Sequence, residues 1–294
     1  MSQELLHLLA PCKVNLILRV VGKRSDGYHE LITWMQKLDL YDEIDLGVVS
    51  KPGISFFCDD PRLPTDKSNL AFKAAAAFFA ASRRAVGKGV EIRLSKKIPA
   101  AAGLGGGSSD AGTVLLGLNR IFDNEFSENQ LVKLATPLGA DVPFFAVEHS
   151  GVLATGIGEK MQPVKPVDNC TFILINPGFD VSTKWVFETF ALTSSIEGSM
   201  MSRFRKHEVN TLSLDDMAND LELVTSKKFS EIEQMKKQLL EAGASQAMMS
   251  GSGPTVFGIF PDTKSEQVAV QDVAEELRQQ YKDNVFVARS CIGA

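Results

Sequence analysis

An α+β fold is predicted for this chain of 294 residues from three observations. Segments of period-2 alternation and segments of helical apolar spacing are interleaved, without strict βαβ repetition. A hydrophobic content of 44% and a charged content of 23% suit a chain that buries its own core. The length is that of about two domains, and the pattern breaks once, past the middle.

The elements follow in order. Val14, Leu16, Leu18 and Val20 alternate with Lys13, Asn15, Ile17 and Arg19, so this stretch is a strand with Lys13 and Asn15 on one face. Residues 22–27 are a turn, and 31–46 continue as strand. Residues 66–69 offer several N-caps to an Ala/Phe-rich helix over 70–81. Val90, Ile92 and Leu94 mark another strand. A glycine-rich segment comes next, then a helix running to Phe122. Ser127 and Gln130 form a capping box that opens the following helix. Residues 156–168 carry glycines, Pro163 and Pro166, and mark the break between domains spanning 1–160 and 161–294. Beyond it, strands are predicted at 171–175, 255–260 and 285–289, and helices at 183–190, 214–224, 229–242 and 264–281.

Composition narrows the function. Lys+Arg number 31 and Asp+Glu 36, a net charge of −5, which argues against a nucleic-acid partner. There is no run of 18 apolar residues for a membrane span, and the first ten residues lack the basic region of a signal peptide. The four cysteines and four histidines are scattered, without CxxC or HExxH. The expectation is a cytoplasmic protein with reduced thiols.

The most informative stretch is Gly103-Leu104-Gly105-Gly106-Gly107-Ser108-Ser109, between a strand and a helix. Glycines let backbone N–H groups close on an anion, and the helix start adds free N–H groups and a positive dipole end. The serines offer hydroxyl donors or an N-cap. The segment is not a Walker A loop, because Asp110 follows Ser108-Ser109. Nor is it a dinucleotide fingerprint, since Ser108 stands where the third glycine belongs. It is not a nucleophile elbow, which fails at Ala111.

Residues 99–111, Pro-Ala-Ala-Ala-Gly-Leu-Gly-Gly-Gly-Ser-Ser-Asp-Ala, resemble the ATP-binding motif of the GHMP kinase superfamily. Three further segments agree, in the expected order. They are Ala10-Pro-Cys-Lys-Val-Asn15 with Arg24-Ser-Asp-Gly-Tyr-His29, then Gly139-Ala-Asp-Val-Pro-Phe-Phe145, then Met249-Ser-Gly-Ser-Gly-Pro254. The triple-glycine form is similar to that of the members acting on a cytidine-diphosphate-linked methylerythritol. Two features depart from the pattern. Asp110-Ala-Gly112 stands where a small residue or Asn followed by Ala-Ala is more usual, and residues 191–214 match no motif.

The resemblance implies a two-domain fold with the active site in the cleft between domains, ATP and Mg²⁺ as requirements, and a small-molecule alcohol as acceptor. It implies that Asp141 takes the proton of the substrate hydroxyl while Lys13 steadies the same region. A carboxylate near an ammonium suits that work. It places the nucleotide on Pro99, Ala100, Ala101, Ala102, Gly103, Leu104, Gly105, Gly106, Gly107, Ser108 and Ser109, with Asn69, Lys96 and Lys97 toward adenine. It places the acceptor on Asn15 and Thr183, with Tyr28, His29 and Phe187 around the cytosine. It names no protein ligand for the metal beyond Ser109 as a candidate. Without the resemblance, Asp141 reads as a turn or capping residue, Lys13 as a solvated strand lysine and Phe187 as ordinary core. Two other readings stay open: a superfamily member acting on homoserine or mevalonate, and a catalytically idle nucleotide-binding protein.

Overall fold

The computed structural model describes residues 5–25, 27–193, 212–262 and 267–291. Asp26 of the expected turn, residues 194–211 of the unmatched stretch and residues 264–266 of the expected last helix lie outside the described residues. The elements run β1 (Leu6–Lys23), β2 (His29–Val49), β3 (Gly53–Cys58), α1 (Leu70–Ala81), β4 (Gly89–Ser95), α2 (Gly106–Ile121), α3 (Glu128–Ala135), α4 (Val142–Phe145), β5 (Gly151–Gly156), β6 (Lys160–Pro163) and β7 (Cys170–Ile175). They continue with α5 (Thr183–Thr193), β8 (Ala218–Asn219), α6 (Glu222–Lys228), α7 (Glu231–Glu241), β9 (Gln246–Met249), β10 (Val256–Pro261), α8 (Gln267–Tyr281) and β11 (Val285–Arg289).

Two compact units result, and they are interleaved along the chain. The first takes in the described chain up to Cys12, then Tyr41–Ile98 and Gly105–His149. The second takes in Lys13–Leu40, Pro99–Leu104 and the described chain from Ser150 onward. The long strands β1 and β2 contribute to both.

In the first unit, β2 pairs antiparallel with β4 from Glu43↔Ser95 to Val49↔Gly89, and β3 pairs parallel with β4. Helix α1 buries Ala71, Ala74, Ala75 and Phe78, one face at i, i+3, i+4 and i+7. Phe78 is the ring centre of this core, 5.8 Å from Phe122 and 5.2 Å from Phe126. Ile44 and Leu46 of β2, Ile92 of β4, and Val114, Leu115 and Leu118 of α2 complete it. Gly112 explains one departure noted in the sequence. A Cβ there would stand 2.5 Å from the Phe145 backbone, so α2 and α4 approach too closely for any side chain at that position. The capping box of Ser127 and Gln130 is present as predicted at the start of α3.

In the second unit, β2 pairs antiparallel with β5 from Leu31↔Gly156 to Gln36↔Gly151, and β5 forms a hairpin with β6. The stretch read as a break in pattern is therefore partly strand. β8 adds parallel to β1 at Ile17↔Ala218 and Leu18↔Asn219. A separate four-stranded antiparallel sheet has the order β11-β7-β10-β9. Ile173, Ile175, Val256 and Phe260 of that sheet pack with Ile232, Met235 and Leu239 of α7, Ala274 and Leu277 of α8, and Val186 and Phe190 of α5.

The helix predicted over 214–224 is not what forms. A short 3-10 turn covers Leu214–Asp216, β8 follows, and helix begins only at Glu222. Pairing with β1 overrides the local helical preference, because it satisfies the backbone of residues 218–220 in a neighbouring strand.

Candidate active site

β1 sets the first part of the site. Its alternation turns Lys13 and Asn15 to one face, and both are buried, at 3% exposure each. The Lys13 Nζ donates to Asn15 Oδ1 at 2.5 Å. Asn15 Nδ2 donates to Thr33 Oγ1 at 2.8 Å, and that hydroxyl donates to the Ile17 carbonyl at 2.8 Å. The Thr33 hydroxyl spends its one proton on Ile17, so it can only accept from Asn15. This fixes the amide with its oxygen toward Lys13. Thr33 went unnoticed in the sequence, where it is one more position of an alternating strand.

The glycine segment attaches to the same strand. The Lys13 backbone N–H donates to the Leu104 carbonyl at 2.9 Å. Ala101, Gly103 and Gly105 have φ of 51°, 76° and 73°, the left-handed conformation that gives the segment its tight turns. At Gly103, a Cβ would stand 2.2 Å from the Ser250 carbonyl oxygen. The Ser250 hydroxyl donates to the Gly103 carbonyl at 2.9 Å, and the Thr255 N–H donates to Ala102 at 3.3 Å. The first part of the 99–111 motif, Pro99–Leu104, and the 249–254 motif are thus brought together within the second unit.

Helix α2 begins at Gly106 with Gly105 as N-cap, and no side chain caps it. Ser108 and Ser109 lie inside the first turn and do not serve as N-cap. The Ser109 hydroxyl is buried without a hydrogen-bond partner. An uncapped helix start with an orphaned hydroxyl in its first turn suits an anion with an associated cation.

Lys96 and Lys97 have different surroundings. The Lys96 Nζ is held by Asp42 and, at 2.9 Å, by Asp110, with its side chain only 7% exposed. Asp42 also accepts from the backbone N–H groups of Lys97 at 2.6 Å and Ile98 at 2.8 Å. Burial works against the Lys96 charge, but the two carboxylates outweigh it and move its pKa upward. Lys97 is exposed and reaches Glu43 Oε1 at 2.5 Å. Asn69 caps α1, its Oδ1 accepting from Ala71 N–H at 2.9 Å and its Nδ2 donating to Pro64 O at 2.8 Å.

Burial pushes the Asp110 carboxyl up to about 7 from an ordinary 3.8, against the pull of Lys96. An acid with a raised native pKa contributes stability that is complete below about pH 4 and lost as pH rises through about 7. Asp110→Asn keeps an acceptor for Lys96 and removes the titration. Its Tm relative to the wild type is expected to rise between pH 5 and pH 8 in ligand-free protein. Melting curves that shift in parallel across that range would refute the assignment.

Tyr28 is 59% exposed. The neighbouring His29 stacks on Phe187, ring centroids 5.2 Å apart at 25°. Burial, and then the charge of Lys23, lower the His29 pKa, so the imidazole is neutral at pH 7. Its Nε2 is buried without a partner. Thr183, at the start of α5, shares a 2.8 Å hydrogen bond with the Ser252 hydroxyl of the 249–254 segment, the second glycine loop. The resemblance groups His29 with Phe187, whereas the pairing of Thr183 with that loop is one that sequence distance hides.

Asp141 lies in the first unit, directly before α4. All four residues of that helix are buried, which pins the Asp141 backbone, and its side chain does not cap the helix. Among the described residues no three His, Cys, Asp or Glu side chains form a group that could hold a metal. No helix among them is long and apolar enough to cross a membrane.

Residues 69–149 match the family model of the GHMP kinases N-terminal domain, and residues 202–283 match that of the GHMP kinases C-terminal domain. A protein of Desulfotalea psychrophila named 4-diphosphocytidyl-2-C-methyl-D-erythritol kinase is 50% identical over 97% of this chain and 95% of its own length. One of the same name from Syntrophotalea carbinolica is 44% identical over 90% of this chain and 93% of its own. Among solved structures, a 4-(cytidine 5'-diphospho)-2C-methyl-D-erythritol kinase superposes with a TM-score of 0.76 at 32% identity, covering 98% of this chain and 100% of that one. A homoserine kinase from Cytophaga hutchinsonii superposes at 0.74 with 19% identity, covering 100% and 96%, a likeness of fold.

Proposed function

This chain belongs to the GHMP kinase family, as an ATP-dependent small-molecule kinase, and from that membership we propose that its acceptor is the 2-hydroxyl of 4-(cytidine 5'-diphospho)-2-C-methyl-D-erythritol. The products are the 2-phosphate and ADP, a step toward isoprenoid precursors that does not pass through mevalonate. The observation that carries the acceptor is the His29–Phe187 stack beside exposed Tyr28. Flat rings and a neutral imidazole with an unpartnered Nε2 suit a pyrimidine, by stacking and by an edge hydrogen bond. Mevalonate and homoserine carry no ring for such a group to stack on.

Phosphoryl transfer asks the protein for position and charge stabilisation more than for covalent chemistry. Lys13 supplies positive charge at the transferring group from a strand position locked by Asn15 and Thr33. Asn15 also orients the acceptor polyol. Asp141, on a fixed backbone, takes the proton of the attacking hydroxyl. The uncapped start of α2 and the segment from Pro99 to Ser109 hold the nucleotide phosphates by backbone N–H groups. Asn69 and Lys97 serve the base, while Lys96, held by Asp42 and Asp110, steadies the first turns of α2. Thr183 orients the substrate diphosphate from the start of α5. The Ser109 hydroxyl, buried without a partner, would be the protein atom to hold a nucleotide-bound Mg²⁺, which would supply charge neutralisation on the phosphoryl oxygens.

A coupled ADP-release assay with ATP, Mg²⁺ and the cytidyl substrate, beside mevalonate, homoserine and galactose, tests this reading. Turnover is expected with the cytidyl substrate alone. In the same assay Tyr28→Ala is expected to raise the KM of that substrate by about tenfold, the worth of one base stack, with the KM of ATP unchanged. Turnover with another alcohol, or an unaltered KM in the variant, removes the cytidine pocket from the account.

A further inference from the structure

Four consecutive residues with no place in the motifs, Asn219 to Glu222, tie the strand that carries Lys13 to the second glycine loop. Asn219 is buried, at 8% exposure. Its Nδ2 donates to two carbonyls of the second loop, Met249 and Gly251, each at 2.8 Å. Its Oδ1 accepts the Leu221 N–H at 3.0 Å. Asp220 faces the other way. Its carboxylate accepts from Val20 N–H at 2.9 Å and from Arg19 Nη1 at 2.6 Å, and its own N–H donates to Leu18 O at 2.9 Å. Glu222 accepts the Met249 N–H at 2.8 Å and is itself held by Lys236. Thr225, one turn on, donates its hydroxyl to Ser252 O at 3.2 Å.

The held loop lies against the reacting side chains. Gly251 has a φ of +59°, and a Cβ on it would stand 3.1 Å from Gly103 O, 3.4 Å from Lys13 Nζ and 3.5 Å from Asn15 Oδ1. The Gly251 backbone therefore passes Lys13 with no side chain between them. We propose that Asn219 is a positioning residue for phosphoryl transfer, its amide fixing the Gly251 backbone against Lys13 and Asn15. This rests on the reading that Lys13 acts at the transferring phosphoryl group.

The residue type fits the task. Two convergent carbonyls need two donors from one small buried group, and Asn provides them while its oxygen takes a third bond. Alanine leaves both carbonyls buried and unpaired, and aspartate faces them with a carboxylate instead of donors. Either change frees the loop to move relative to Lys13.

The test measures kcat, both KM values and Tm for Asn219→Ala, Asn219→Asp and Thr225→Val, with Lys13→Met in parallel. Asn219→Ala is expected to lower kcat by about 10- to 100-fold, the scale of a misplaced reacting group, well below its Tm. The KM of the cytidyl substrate is expected to change less than kcat in the same variant, since its ring pocket of Tyr28, His29 and Phe187 is built from other residues. Thr225→Val removes a single fastener at nearly constant volume, and a smaller loss of kcat with the same KM pattern is expected. It carries the test should the Asn219 variants fail to fold. Wild-type kcat with only a lowered Tm, while Lys13→Met is inactive, overturns the proposal alone. Wild-type kcat in Lys13→Met overturns the reading of Lys13 and the proposal together.

Discussion

Asp141→Asn is expected to lower kcat by about 10²-fold or more, the usual scale for loss of a general base, while the KM of ATP stays within about twofold. The substitution keeps the size of the side chain and its ability to hydrogen-bond the hydroxyl, and removes only its ability to take the proton. It is also structurally mild. The Asp141 side chain does not cap α4, and the backbone there is held by the buried residues Val142, Pro143, Phe144 and Phe145. Tm is expected to move little, so lost activity reports on chemistry. Steady-state kinetics decide the matter: a wild-type kcat takes Asp141 out of the mechanism, whereas a raised KM of ATP with unchanged kcat assigns it to binding.

Gly103→Ala is expected to damage fold and activity together. The left-handed φ of 76° costs an L-residue about 1–2 kcal/mol. The added Cβ would stand 2.2 Å from the Ser250 carbonyl oxygen, a backbone atom that cannot swing aside. Separating the two loops also removes the Ser250 hydroxyl bond to Gly103. A loss of about 3 kcal/mol in stability is expected, near the upper end for single substitutions. A fall of about 10²-fold in kcat/KM for ATP should accompany it, as the phosphate segment shifts. Gly107→Ala is the control for fold. Its Cβ would meet only Leu70 Cδ1 at 3.8 Å, inside a helix that favours alanine. Denaturant melts that failed to separate the two variants would contradict the close contact at Gly103.

How much of this was legible beforehand varies with the range of the interaction. Helix α1 begins and ends where the sequence places it, because Asn69 caps it and its apolar spacing is local. The Ser127–Gln130 box is equally local. Strand alternation alone placed Lys13 and Asn15 on one face, and they bond directly. Asp42 gave no signal. It sits 54 residues from the lysine that it holds, in a strand where an aspartate looks like one more polar position. Asn219 was read as part of a helix, since nothing near it in sequence shows that its partners are Met249 and Gly251. Lys96 looked like its neighbour Lys97, and only the carboxylates around it separate the two.

The sequence by itself determined the α+β class, the extents of the locally patterned elements, the order of the four motifs and thereby the kind of kinase. Periodicity, capping and glycine content act over a few residues and can be read along the chain. Tertiary structure alone decided that β8 replaces part of a helix, that Gly112 must be glycine, that Thr183 meets Ser252, and that Asn219 holds the second glycine loop. Each depends on which distant backbone or side chain arrives at that place, and a buried polar group or a close approach takes its meaning from the partner that folding brings to it.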